Sequence, residues 1–403
     1  MHMDPNLPAV VGALFVVLLL GLVLRRFRAP HAVVYLLAGV VLGPDGLGLL
    51  QDRDALASLG EFGVLLLLFF VGTELSVPKL LERWRVPVIG TGLQIAASVG
   101  CAAALGAFFD WPWPRSLLLG FVISLSSTAV VTRLLHERGE MDTPMGRDVV
   151  GVLLVQDVAI APMLILLGFV TAGEIHAGEL ARQGIGAIAI GALFVWLARA
   201  PAVRIPGLAL LKGDHELEVL GGLGFCLGVA LLTGLAGLST ALGAFIGGIL
   251  LAAAGEGEWV HRLLEPFRVV LLAIFFLSIG ALVDQQFVLA HLWEIGLLAL
   301  AAFLTNNLIN GGILRALGVG WRDALLGGAL LSQLGEFGFV LAAIGLTSGV
   351  IVADGYQLAV GVIAATLLLS APWVAGVRRL VGVAESRPEP PVSEPPGGRP
   401  APS

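Results

Sequence analysis

Thirteen apolar stretches of 17 to 27 residues follow one another along this chain. They lie at 7–24, 31–49, 54–73, 86–108, 114–136, 148–171, 180–199, 215–234, 237–253, 266–283, 288–313, 321–347 and 355–378. Each is long enough to cross a hydrocarbon layer of about 30 Å at about 1.5 Å of helix rise per residue. Charged residues make up 13% of the sequence, about half the roughly 25% of a soluble protein. The predicted fold is therefore an all-α polytopic membrane protein with about 13 transmembrane helices over residues 1–382. Its first partner is the lipid bilayer. No nucleic-acid partner is expected, and a soluble enzyme is excluded. The first apolar run has no basic segment before it, so it reads as a retained helix. Cys101 and Cys226 both sit inside apolar stretches, which implies no disulfide framework. Residues 383–403 are rich in proline and poor in apolar side chains, and read as a disordered cytoplasmic tail.

The basic residues test this division. With the Arg25-Arg26-Phe27-Arg28 loop placed in the cytoplasm, alternation through thirteen spans puts 20 of the 23 Lys and Arg residues on that side. Only Arg53, Arg115 and Arg182 fall on the other. Such an excess is the usual mark of cytoplasmic loops. The topology read from it is N-terminus outside, C-terminus cytoplasmic.

An internal repeat is also visible. Phe69-Phe70 returns as Phe275-Phe276, Ser126-Ser127 returns as Ser332-Gln333, and Gly39-x-x-x-Gly43 returns as Gly243-x-x-x-Gly247. The offset spans seven predicted helices, an odd number, so the two copies are expected to be inverted across the membrane.

Polar groups at mid-span carry the chemistry. Asp157 lies nine residues into its stretch, about 14 Å deep by helix rise, in V-G-V-L-L-V-Q-D-V-A-I-A. An intramembrane carboxylate without a basic neighbour in sequence is costly to keep ionised, so it is a candidate for exchanging a proton and a cation. A structural pair with a basic residue from another helix is the alternative. Gln156 precedes Asp157, and Ser126, Ser127 and Thr128 stand together in the middle of 114–136. Consecutive hydroxyls compete with helical hydrogen bonds, and irregular backbone at such depth survives where it lines a polar cavity. Ser332, Gln333, Gly335 and Glu336 repeat the pattern in 321–347. Two broken helices crossing beside Asp157 are therefore predicted, their dipole ends and freed carbonyls meeting at one point. Hydroxyls bonded back within intact helices are the plainer alternative. Glu336 either biases the site or plays a structural part, and Glu61 either lines an entry path or packs. Asn306 and Asn307 are explained by hydrogen bonds between helices.

With S-L-S-S-T-A-V-V, L-L-V-Q-D-V-A-I-A-P, G-L-S-T-A-L-G-A-F-I-G-G-I-L-L-A and L-L-S-Q-L-G-E-F-G-F-V in order, residues 7–380 resemble the Kef-type monovalent cation:proton antiporters. The resemblance implies a homodimer built from a dimerisation part and a moving core of residues 86–171 and 288–378. It implies that Asp157 carries the monovalent cation or the proton, with Gln156, Thr128 and Ser127 as neighbours. K+ or Na+ and H+ would be the transported ions, with no covalent cofactor. Kef systems usually continue into a nucleotide-binding regulatory domain. The segment 256–267 resembles the loop that such domains contact, which leaves room for a separate cytoplasmic regulatory subunit. Relatives often place a lysine roughly where Asn306 stands.

The function expected is secondary antiport by alternating access, one-for-one and electroneutral, in the bacterial cytoplasmic (inner) membrane. The alternatives are a gated potassium efflux channel and a membrane subunit controlled by a separate regulatory protein. A channel conducts without coupling to pH, whereas an antiporter saturates and moves protons the opposite way.

Overall fold

A computed structural model of the chain describes residues 7–25, 30–74, 85–171, 214–235, 240–255 and 257–382. The predicted span 180–199, the 383–403 tail, both lysines (Lys79 and Lys212), the Glu61 side chain and most side chains of the 256–267 segment lie outside that description. The described residues are helical and contain no strand. Seven of their helical stretches are long and apolar enough to cross a membrane.

The first half runs α1 (Leu7–Arg25), α2 (His31–Leu42), α3 (Arg53–Glu74), α4 (Gly90–Phe108, entered through a π-helical turn at Arg85–Ile89), α5 (Trp113–Ser124), α6 (Thr128–His136) and α7 (Pro144–Thr171). The second runs α8 (His215–Leu235), α9 (Thr240–Ala253), α10 (Gly257–Ala281), the short α11 (Gln285–Ala290), α12 (Leu292–Ala316), α13 (Trp321–Leu330), α14 (Phe337–Thr347) and α15 (Ala353–Leu380). One predicted span needs correction. The stretch 31–49 is helical only to Leu42, because Gly43 precedes Pro44 and takes an extended conformation (ψ 178°). The proline ring disfavours helical backbone in the residue before it.

Pairings in the two halves match element for element. α1 packs on α2 as α8 packs on α9, α2 on α10 as α9 on α3, and α4 on α5 as α12 on α13. Backbone-to-backbone approach sets two of these contacts. A methyl group at Gly39 would meet the backbone of Leu277 and Gly280, and one at Gly248 would meet that of Phe69 and Gly72. Such small-residue contacts let helices approach closely where no hydrophobic force distinguishes protein from lipid. In space Gly248 therefore answers Gly39, not Gly243 as the sequence repeat suggested.

The buried apolar core runs from α2, α3, α9 and α10 into α5, α7, α13, α14 and α15. Phe276 of α10 meets Phe339 of α14 edge-on, with ring centroids 5.7 Å apart. In contrast, α1 leaves Leu14, Phe15, Leu18, Leu19 and Leu22 exposed, as a lipid-facing helix would.

Candidate functional site: two broken helices around Asp157

Both polar interruptions break their helices. α5 ends at Ser124 and α6 starts at Thr128, with Leu125 (ψ 122°) and Ser127 (ψ 113°) extended. The Ser127 hydroxyl accepts the Val130 N–H at 3.3 Å and so caps α6, which supplies one of the partners a new helix start lacks. α13 ends at Leu330 and α14 resumes at Phe337, leaving Ser332, Gln333, Leu334, Gly335 and Glu336 between them.

The two breaks touch. The Gly335 N–H donates to Leu125 O at 2.7 Å, and Ser126 Oγ donates to Leu331 O, also at 2.7 Å. Gln333 Nε2 reaches Ser127 O at 3.4 Å, and the Leu334 N–H donates to Thr366 Oγ1 of α15 at 3.2 Å. Only glycine fits at 335, since a methyl group there would lie 2.7 Å from the Ser126 carbonyl carbon and oxygen.

Three carbonyls at the end of α5 already have donors. Asn306 Nδ2 of α12 donates to Ile123 O at 2.9 Å and to Ser332 O at 3.3 Å. Gln94 Nε2 of α4 donates to Ser124 O at 2.9 Å. Leu125 O takes the Gly335 N–H already described. Neutral side-chain amides thus cover the negative end of the half-helix, where a cation would also have been favourable. Asn306 Oδ1 and Gln333 Oε1 remain buried acceptors that meet no hydrogen-bond donor among the described residues.

Asp157 sits on α7 beside this crossing and is 6% exposed. The Thr128 hydroxyl, on the first residue of α6, donates to Asp157 Oδ2 at 3.0 Å. Gln156 is fully buried and faces elsewhere: its Oε1 accepts the Ser126 N–H at 3.1 Å and its Nε2 donates to Gln94 Oε1 at 2.5 Å. Asp157, Thr128, Ser127 and Glu336 line one cavity of about 540 Å³, and Gln156 does not line it. The cavity extends to His31 and Tyr35 of α2, Arg133 of α6 and Glu137 just after it, and Arg268 of α10. Arg133 and Glu137 form an ion pair at 3.0 Å. Phe70 and Phe276, the repeated aromatics, form part of the opposite wall.

At the far end of α2, side-chain amides tie neighbouring elements together. Gln285 Nε2 donates to Val40 O at 2.6 Å. Gln357 of α15 accepts the Asp284 N–H and donates to Leu282 O, both at 3.1 Å.

The predicted site residues therefore divide in two. Asp157, Thr128, Ser127 and Glu336 share the cavity, while Ser126, Ser332, Gln333, Gly335 and Gln156 hold the crossing together. Sequence reasoning passed over Gln94 and Thr366, although a lone amide in the middle of an apolar span is itself a signal. It also passed over the pair between Arg378, which is 2% exposed, and Glu140. That pair joins the last turn of α15 to the α6–α7 turn, and neither residue had a pattern to mark it.

The sequence and the fold are both similar to those of known proteins. The family model described as "Sodium/hydrogen exchanger, transmembrane" matches residues 12–377. An iron transporter, MagA, of Paramagnetospirillum magneticum is 38% identical over 93% of this chain and 86% of its own length. The putative cation/proton antiporter YbaL of Escherichia coli is 32% identical over 89% of this chain and 66% of its own. The chloroplastic K(+) efflux antiporter 2 of Arabidopsis thaliana is 31% identical over 86% of this chain, which spans 30% of that longer protein. The fold is similar to that of the sodium proton antiporter MjNhaP1 of Methanocaldococcus jannaschii, with a TM-score of 0.68 and 17% identity, covering 95% of this chain and 99% of the other. The chain belongs to the sodium/hydrogen exchanger family.

Proposed function

We propose that this protein is a secondary active antiporter exchanging one monovalent alkali cation, K+ or Na+, for one proton by alternating access. The observation that carries the reading is the placement of Asp157. It is a mid-membrane carboxylate bonded to the Thr128 hydroxyl, lining a cavity against two broken helices that cross beside it. Asp157 holds either a proton or a cation, and the cavity delivers both. Residues 86–171 and 288–378 form the moving core, and α1, α2, α3, α8, α9 and α10 form the static, dimerising part of a homodimer. The matched pairings of the two halves support an inverted repeat, and with 180–199 as a further span the helix count is thirteen. The cavity mouth at His31, Arg133 and Arg268 then faces the cytoplasm of a bacterial inner membrane. The C-terminus lies on that side and the N-terminus outside. The Gln285 and Gln357 bonds close the outer side in this state. A separate regulatory protein would dock on the cytoplasmic segment 256–267, whose residues 257–267 form the first turns of α10 and not a loop.

The iron transporter MagA among the relatives raises iron as a second reading. The donors at Asp157 are carboxylate and hydroxyl oxygens. Among the described residues no three His, Cys, Asp or Glu side chains gather as a metal group. Hard oxygen donors suit an alkali cation better than a transition metal. Proteoliposomes carrying an internal pH dye separate these readings. K+ or Na+ should drive proton movement in the wild type and fail to do so in a folded Asp157→Asn variant. Unimpaired exchange by that variant removes Asp157 from the carrier role. Exchange driven only by ferrous iron overturns the choice of cation, and conductance uncoupled from pH identifies a channel.

A further inference from the structure

Gln94 belongs to none of the motifs that mark the site, and it is 1% exposed, four residues past the start of α4. Its amide closes a one-way relay. Ser124 O accepts from Gln94 Nε2 at 2.9 Å, Gln94 Oε1 accepts from Gln156 Nε2 at 2.5 Å, and Gln156 Oε1 accepts from the Ser126 N–H at 3.1 Å. The two backbone groups dictate its direction. Ser124 O can only accept, so Gln94 must present its NH2. The Ser126 N–H can only donate, so Gln156 must present its oxygen. One Oε1 and one NH2 then face each other and satisfy both amides. Reversing either amide sets donor against donor or acceptor against acceptor, a costly arrangement for fully buried groups.

We propose that Gln94 is a positioning residue for ion exchange, acting through Gln156. By fixing which way the Gln156 amide points, it holds the Ser126 backbone against α7. That in turn keeps Thr128, two residues on, within reach of Asp157, the residue next to Gln156. The relay spans the α5–α6 break from Ser124 on one side to Ser126 on the other. It therefore sets the geometry of the break without touching the ion. The inference rests on the antiporter reading of Asp157 and goes beyond it, since no motif in the sequence assigns a role to this position.

The chemistry of the relay supplies its own test. A neutral carboxylic acid reproduces the Gln94 pattern: its O–H donates to Ser124 O and its C=O accepts from Gln156. An ionised carboxylate accepts only and faces the Ser124 carbonyl with like polarity. Methionine has the same length and makes neither bond. In proteoliposomes, Gln94→Met should raise the half-saturating cation concentration about tenfold at every pH, as expected for loss of a buried hydrogen bond. Gln94→Glu should match the wild type at the acidic end of the range and fall to the Met level at the alkaline end. Hydrogen–deuterium exchange of residues 124–130, each variant set against wild type at the same pH, gives a readout independent of transport. The segment should exchange faster in Gln94→Met and stay protected in Gln94→Glu under acid. Two variants that both behave as wild type, or that lose exchange by one common factor at all pH values, would leave Gln94 a space-filling residue and overturn the proposal. So would unchanged protection in Gln94→Met. A wild type without cation-driven proton movement, but with the expected protection pattern, overturns the antiporter reading and leaves the relay standing.

Discussion

The Thr128 hydroxyl donates to Asp157 Oδ2 at 3.0 Å, joining the first residue of α6 to the interior of α7. Because α6 begins at the break, a residue at a helix start, with its dipole positive end, is brought to the one carboxylate of α7 that lines the cavity. The Thr132 hydroxyl separately holds the Thr128 carbonyl at 2.7 Å, so the backbone there does not depend on the Thr128 side chain. Thr128→Val should accordingly fold and keep its melting temperature. Hydrogen bonds to charged groups contribute about 1.5–3 kcal/mol, so its half-saturating cation concentration should rise by roughly tenfold or more. Thr128→Ser, which keeps the hydroxyl, should recover most of the loss in the same dye assay.

Voltage distinguishes one carried charge from two. Asp157 with a proton and Asp157 with one monovalent cation carry equal charge, and Gln156 and Asn306 add none. A membrane potential acts with about 2.3 kcal/mol per moved charge per 100 mV, so it should leave the equilibrium proton gradient unchanged. The measurement is a proteoliposome proton gradient at several clamped potentials, with an ionophore for an ion other than the substrate. A gradient that follows the clamp means a second moving charge, and Glu336, in the same cavity, is the first to replace by Gln.

The crossing tolerates no side chain at 335. Gly335→Ala must push the broken segments apart by several tenths of an ångström, because its methyl group would sit 2.7 Å from Ser126. Overpacking of this kind costs about 1–3 kcal/mol, and here it also weakens the bond from the Gly335 N–H to Leu125 O. The variant should melt earlier in detergent and lose exchange, whereas Gly100→Ala, on an exposed face of α4 with open space around it, should leave transport intact.

Arg378 and Glu140 tie the end of α15 to the turn between α6 and α7. Removing one partner leaves the other buried and uncompensated. With Glu140 keeping 18% exposure, the cost falls near the lower end of the range for buried pairs, about 3 kcal/mol. Arg378→Met and Glu140→Gln should each lower the thermal midpoint by a similar amount. The double change Arg378→Met with Glu140→Leu should recover part of it, which a scan of the three proteins side by side will show.

Much of this protein could be read before any coordinates. Apolar length alone located the described spans, since a hydrocarbon layer admits few alternatives to a helix of set length. The hydroxyl run at 126–128 and Gly335-Glu336 located both breaks, because side chains that compete for backbone hydrogen bonds leave a local mark. Asp157 stood out because an ionisable group at that depth has no ordinary explanation.

Tertiary structure alone decided how the polar groups are shared. Gln156 adjoins Asp157 in sequence, yet successive helical residues point about 100° apart, so one faces the crossing and the other the cavity. Gln94, Asn306 and Thr366 come from three different helices to satisfy backbone groups of the breaks. Nothing local in α4, α12 or α15 requires this, because the unsatisfied atoms belong to other segments. The same holds for Arg378, one of the basic residues that the charge pattern placed on the cytoplasmic side, which is buried against Glu140. Backbone hydrogen bonding and burial length act within a segment and are legible there. Which side chain completes which broken helix is settled only when the helices pack.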